Sequence, residues 1–250
     1  MPEEMIQPAP GTGRPIAENE QVKALLALLK ENDAPGFQEF SALIGHVSGM
    51  EQRLSEALEE LSAIRQKMQE VQDRSLKAVL QKSCQALEGN VAALRQRLSE
   101  LKDQIVEGCK NILADFKERG AVALQGITRF LHLKPALEAV QAAAKNSIQA
   151  SNRAVSRIDA FSAEFHEAGR HVKNMGRTLM GKPAEAEAKE NGKLAAAFKG
   201  GFKVERALLL AVSRSAERSL NALARLEQRA ERRPSVSSWG NWWTQINKIS

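Results

Sequence analysis

Gly176 to Lys182 places two glycines five residues apart with a lysine after the second, the spacing with which a phosphate-binding loop wraps backbone N–H groups around a nucleotide. Pro183 stands where the magnesium-holding Ser or Thr belongs, and the segment closes a helical pattern instead of joining a strand to a helix. It therefore reads as a helix C-terminus capped by Gly181. His166, Glu167 and His171 approach a zinc-protease pattern, but histidines five apart lie about 140° apart around a helix, where two ligands on one face need a spacing of four. His46 and His132 stand alone on apolar segments, and Cys84 and Cys109 form no C-x-x-C pair. Both cysteines fit helix seams as small apolar residues. No nucleophile, metal set or cofactor loop emerges, so no enzyme activity, cofactor, metal or small-molecule substrate is expected.

The charged residues point elsewhere. Residues 193–250 hold 11 Lys/Arg against 4 Asp/Glu, whereas residues 1–49 hold 3 against 7, so the net charge of +6 resides in the C-terminal quarter. At about 100° per residue, Lys203, Arg214, Arg218, Arg225, Arg229 and Arg232 fall within an arc of roughly 80° on one helix. Leu209, Val212, Ala216, Leu223 and Ala230 centre on the opposite side. Such a helix docks its apolar face and presents a basic one. Three outcomes fit: a solvated face, contact with nucleic-acid phosphates, or attachment to an anionic membrane surface. Trp239, Trp242 and Trp243, with Ile246 and Ile249, share one side of a short tail and supply the membrane alternative with an interfacial anchor. They must be buried on the protein, a partner or lipid.

Helices must position these groups. The composition is poor in aromatics, lacks tyrosine and is dominated by good helix formers, which predicts an all-α protein. Leu137, Ala144, Ser151, Ile158, Phe165, Val172 and Leu179 recur every seven residues, with Ile148 and Val155 expected on the companion stripe and Ser162, Gly169 and Gly176 further along it. A second register runs through Leu80, Leu87, Leu94 and Leu101 beside Cys84, Val91, Leu98, Ile105 and Ile112. A third holds Leu54, Leu61 and Met68 beside Ala57, Ile64 and Val71. The last two are out of phase, since Val71 to Leu80 is nine residues where seven would continue the pattern, so a break is expected at 72–75. Long heptad-patterned helices would then form an antiparallel coiled-coil hairpin or a helical bundle, with pairing between two chains left open.

Along the chain, residues 1–18 read as a disordered tail rich in Pro and Gly, and 19–49 as a pair of short helices, the first capped by Asn19 and burying Val22, Leu25, Leu26 and Leu29. Ser48 and Glu51 have capping-box spacing and predict a helix start. Residues 50–182 form the helical core, with breaks near 72–75 and 120–135, where Gly120 stops one helix and Pro135 sits in the first turn of the next. Between them Val122, Ile127, Phe130 and Leu131 suggest a short amphipathic helix. Residues 183–193 read as a linker, 194–233 as the basic amphipathic helix and 234–250 as the Trp-rich tail. The N-terminus lacks the pattern of a secretory signal and no apolar run approaches a membrane span, which gives a cytoplasmic location as the default.

Asp115-Phe116-Lys117, Gly120, Phe130-Leu131, the run Phe165 to Arg170, Asn174 to Arg177 and Gly181-Lys182 together resemble an uncharacterised helical family carried on conjugative mobile elements of Gram-positive gut bacteria. The resemblance runs from about Asn19 to Lys182. It implies a bacterial cytoplasm and an accessory role on a mobile element, and it carries over no catalytic or binding residue. From residues and resemblance together, the expected function is a non-enzymatic coiled-coil interaction or scaffold protein, with a protein partner or self-association through the heptads. The alternative is an accessory nucleic-acid binder or a peripheral membrane protein acting through the basic helix and Trp tail.

Overall fold

Asn19 begins the regular structure: its Oδ1 accepts from the N–H groups of Gln21 and Val22, relieving two donors that have no partner inside the helix. The structure, a computed structural model, describes residues 15–126, 132–179 and 190–231. Helix α1 (Glu20–Glu31) buries Val22, Leu25 and Leu29, with Leu26 only half-buried. It ends as a Schellman motif: Asp33 adopts φ 45°, and the Ala34 and Asp33 N–H groups donate to the Leu29 and Lys30 carbonyls at 2.9 and 3.3 Å. Gly36, at φ 100°, then turns the chain into α2 (Phe37–Gln69). Ile16, assigned to the tail by sequence, is instead fully buried in a 3-10 turn before α1, because a single large apolar side chain there finds a core to enter.

Helix α2 runs unbroken through Ser48 and Glu51, whose spacing mimics a helix start. The reason lies in burial. Phe40, Val47, Leu54 and Leu61, with Leu43, Met50, Ala57 and Ile64, keep one alternation of three and four residues across that point, so ending the helix would expose half the stripe. The nine-residue offset does mark a break. Four residues, 70–73, separate α2 from α3 (Arg74–Arg119), and Asp73 Oδ1 caps the new helix by accepting from the Ser75 and Leu76 N–H groups at 2.9 and 3.0 Å. Gly120, at φ 63°, stops α3, and a 3-10 segment (Gly120–Gly126) replaces the amphipathic helix expected there, with Val122 exposed. Ile127, Phe130 and Leu131 lie outside the described residues.

Helix α4 (Lys134–Leu179) carries Pro135 in its first turn, and α5 (Glu190–Glu231) begins four residues earlier than the linker boundary suggested. On α4 the companion stripe to Leu137, Ala144, Ser151 and Ile158 is Val140, Ser147 and Ala154, all buried, while Ile148 and Val155 flank it half-buried. Small Ser147 and Ala154 thus occupy the seam beside Val140, and the larger Ile148 and Val155 sit at its edge. The side chains of Phe165, Gly169, Val172, Gly176 and Leu179 lie outside those described, as do His166 and His171. Gly176 to Leu179 is helical, in keeping with a helix end and not a nucleotide loop.

The all-α chain divides into two compact units assembled from segments far apart in sequence. One comprises Met1–Ser48, Ser99–Glu138 and Glu217–Ser250; within it the start of α2 lies antiparallel to the end of α5, with Gly36 against Leu226 and, ten residues on, His46 beside Arg218. The other comprises Gly49–Leu98 and Ala139–Ala216. There α4 and α5 are antiparallel, since Asp159 meets Lys199 at 2.6 Å and Asn152 meets Arg206 at 2.8 Å.

Two alanine substitutions in α2 and its leading turn separate backbone strain from helix propensity. At Gly36, whose positive φ disfavours a Cβ and whose added methyl would lie 2.9 Å from Leu226 Cδ1, Ala should destabilise by more than about 1 kcal/mol. At Gly45, mid-helix with open space around it, Ala should stabilise by up to about 1 kcal/mol. Urea denaturation of both variants measures the contrast.

Candidate functional site

The C-terminal half of α5 turns a basic face outward because its other face is used up. Buried positions on α5 alternate by three and four residues through Ala195, Phe198, Phe202, Glu205, Leu209, Val212, Ala216, Ser219, Leu223 and Leu226. Lys203, Arg214, Arg218, Arg225 and Arg229 lie on the opposite side, all exposed. Arg232 and the tryptophans Trp239, Trp242 and Trp243 lie outside the described residues.

In the first unit these arginines help form a cleft of about 270 Å³. Helix α2 contributes Gln38, Glu39, Ala42 and His46, which follow one another on one helical face. Helix α5 contributes Arg218, Asn221, Ala222 and Arg225. The two alanines leave the hollow; the longer polar side chains rim it. Glu39 is 8% exposed, and its Oε1 accepts from Arg229 Nη2 at 2.9 Å, while Oε2 has no hydrogen-bond partner among the described residues. Arg229 is itself half-exposed, so this pair tethers the helices without being a strong stabiliser. Among the described residues no acid pairs with Arg218 or Arg225. His46 is half-buried, and its pKa is held below 6.5 first by burial and then by the charge of Arg218. The imidazole is therefore largely neutral at pH 7, with Arg218 near enough to repel its charged form.

The second unit holds a different anomaly. Glu205 is completely buried in the α5 seam, and neither carboxylate oxygen receives a hydrogen bond among the described residues. Its surroundings come from three helices: Glu60 on α2, Cys84 on α3 and Ser151 on α4. Burial pushes its pKa up to about 8, Ser151 moderates the shift, and Glu60 adds to it. The Ser151 hydroxyl proton is already given to the Phe202 carbonyl at 2.8 Å, so it cannot also solvate a carboxylate. A protonated Glu205 can donate to the Ser151 oxygen, which makes the neutral acid the form that suits this site.

Neither place is equipped for covalent chemistry. Cys84 and Cys109 are buried, their thiols pushed up to about 11 and about 12, the first by burial and Glu88, the second by burial alone. Such thiols stay protonated and are poor nucleophiles. Among the described residues no group of three or more His, Cys, Asp or Glu could hold a metal ion, and His132 is exposed and apart from the cleft. No described helix is long and apolar enough to cross a membrane. The arrangement in the first unit can do one thing well: offer hydrogen-bond donors and positive charge to an anion.

A model of a family of unknown function, DUF6674, matches residues 18–241. The chain belongs to that family. No curated protein and no solved structure matches it. The DUF6674 match begins just before Asn19 and extends through the basic helix into the Trp tail, whereas the resemblance noted in the sequence stopped near Lys182.

Sequence reasoning found the arginines but missed Glu39 and Glu205. Glu205 carried a signal, because it occupies the stripe shared by Phe198, Val212, Ser219 and Leu226. Glu39, between Gln38 and Phe40, carried none.

The raised pKa of Glu205 makes stability depend on pH. The unfolded chain loses this proton near 4.5 and the folded one near 8, so the contribution is fully present below about 4.5 and is lost as pH rises toward 8. Across that window the slope approaches about 1.4 kcal/mol per pH unit. Urea denaturation at several pH values should show Glu205→Gln to be increasingly more stable than wild type from pH 5 to pH 8; parallel profiles would mean that Glu205 ionises freely.

Proposed function

We propose that this chain is a non-enzymatic helical interaction protein that uses the outward face of α5 to hold an anionic partner. One observation carries the proposal: α5 commits one face to the interior, while Lys203, Arg214, Arg218, Arg225 and Arg229 are all exposed on the other. The apolar stripes of α2 to α5 are buried within the chain's own units, which supports contact through charged outer faces over pairing of heptads between chains. The non-enzymatic part is supported by the burial of both thiols and of Glu205, the one strongly shifted carboxyl among the described residues. An accessory role on a conjugative mobile element in a bacterial cytoplasm belongs to the same proposal and rests on the sequence resemblance alone.

Nucleic acid is the second reading of the partner, favoured by the predominance of arginine, whose forked donors match phosphate oxygens. Attachment to an anionic membrane surface depends on Trp239, Trp242 and Trp243, outside the described residues.

Fluorescence anisotropy with short duplex DNA and with poly-glutamate, each over a salt series, tests the basic face. Wild type should bind at least one of these polyanions. A variant combining Arg214→Gln, Arg218→Gln and Arg225→Gln should bind it more weakly, and for DNA the log-log salt slope should flatten by about 0.9 for each phosphate contact removed. Failure of both polyanions to bind at low salt, or equal binding by the variant, would overturn the proposal. Arg229 is left intact because its loss would strand the buried Glu39 carboxylate.

A further inference from the structure

The cleft of the first unit has a charge balance that an open arginine row lacks. The one acid of its lining, Glu39, is engaged through Oε1 by Arg229 from beside the cleft, and among the described residues no acid pairs with Arg218 or Arg225 where they line it. These arginines are seven residues apart on α5, two turns along the same face, and both line the hollow. His46 lies opposite on α2 and feels Arg218 directly. Gln38 and Asn221 add amide donors at the rim. At about 30 Å³ per water, the 270 Å³ hollow has room for a tetrahedral oxyanion and its attendant waters.

Two guanidinium forks, an imidazole and the amides of Gln38 and Asn221 offer more donors than the roughly four acceptor sites of a carboxylate can take. A phosphate group has three or more oxygens and up to two negative charges. We propose that this cleft is a binding site for a phosphate group, with Arg218 and Arg225 donating to its oxygens and His46 facing it from α2. This rests on the anionic-partner reading and names the group that the partner would present. A bound phosphate also reverses the local field at His46, so the imidazole takes up a proton as the ligand enters, gaining a second donor.

The test is an NMR titration of the His46 imidazole in the full chain, in chloride and in inorganic phosphate at matched ionic strength, with His46→Gln to assign the resonance. Phosphate should raise the His46 pKa by about one unit, a tenfold preference of phosphate for the imidazolium form. Arg225→Gln should abolish the phosphate-specific increment. Arg218→Gln should raise the His46 pKa already in chloride, by removing the repulsion, and leave a smaller increment. Both arginines are exposed, so the variants should fold, and circular dichroism checks it; the wild-type comparison decides without them. An identical wild-type titration in the two salts, or an undiminished increment in Arg225→Gln, would overturn the site. Repeating the titration with short duplex DNA separates the sources: a shift with inorganic phosphate alone assigns a small phosphate ligand, and a shift with both assigns a phosphate group wherever it is carried. Polyanion binding that depends on the α5 arginines but leaves His46 unmoved by phosphate overturns the cleft site and spares the broader proposal.

Discussion

Burial of one stripe on each long helix governs everything else in this chain. Each fully buried Leu, Ile, Val or Phe contributes about 1.5–3 kcal/mol relative to exposure, and among the described residues α2, α3, α4 and α5 supply 25 such buried positions. Ordering the backbone opposes this at about 1–2 kcal/mol per residue, so the folded state depends on nearly every stripe position being filled. Two consequences follow. Polar and charged residues off the stripe are free to vary without threatening the fold, and function has its room there. A polar residue on the stripe is costly and calls for a physical reason.

The same constraint decides what the sequence discloses. Asn19, the nine-residue offset after Val71, Gly120 and Pro135 all mark helix ends that exist, because each acts through its own backbone or phase and needs no distant partner. Ser48 and Glu51 misled for the complementary reason. Their side chains could cap a helix, but the stripe from Phe40 through Ile64 outweighs a capping gain of about 1 kcal/mol. The companion stripe on α4 was misjudged because Ile148 and Val155 are more apolar than Ser147 and Ala154, and hydrophobicity alone cannot tell a seam from its flank. The two units were invisible, since each joins segments separated by 40 or more intervening residues.

The site was legible to the extent that it belongs to one helix. The arc of arginines on α5 follows from periodicity alone, whereas the cleft needs α2 brought against α5, and nothing in the local sequence of Gln38 to His46 announces that partner. Arg229 illustrates the difference. By sequence it is one more member of a basic face; in the fold it neutralises Glu39 and so leaves the charge of Arg218 and Arg225 to dominate the hollow.

Glu205 is the stripe's one large polar departure, and its position suggests what it contributes. A strict seven-residue repeat is degenerate: sliding α5 by seven residues would restore the apolar alternation and cost little by that measure alone. Two neighbours remove the degeneracy. Gly201 lets α5 approach α2 so closely that an added Cβ would sit 2.9 Å from Ile64 Cγ1 and 3.0 Å from Glu60 Oε1, and a slide of seven would bring Leu194 or Leu208 to that point. One turn along, the Glu205 carboxyl has Ser151 to receive its proton, and Phe198 or Val212 would take its place after the slide, leaving Glu205 against an apolar layer. A buried polar group that fixes register at a cost in stability is a known use of such groups in helix seams. Gly201 and Glu205 therefore both disfavour a slide of α5 by seven residues, the first by volume and the second by unsatisfied hydrogen bonding.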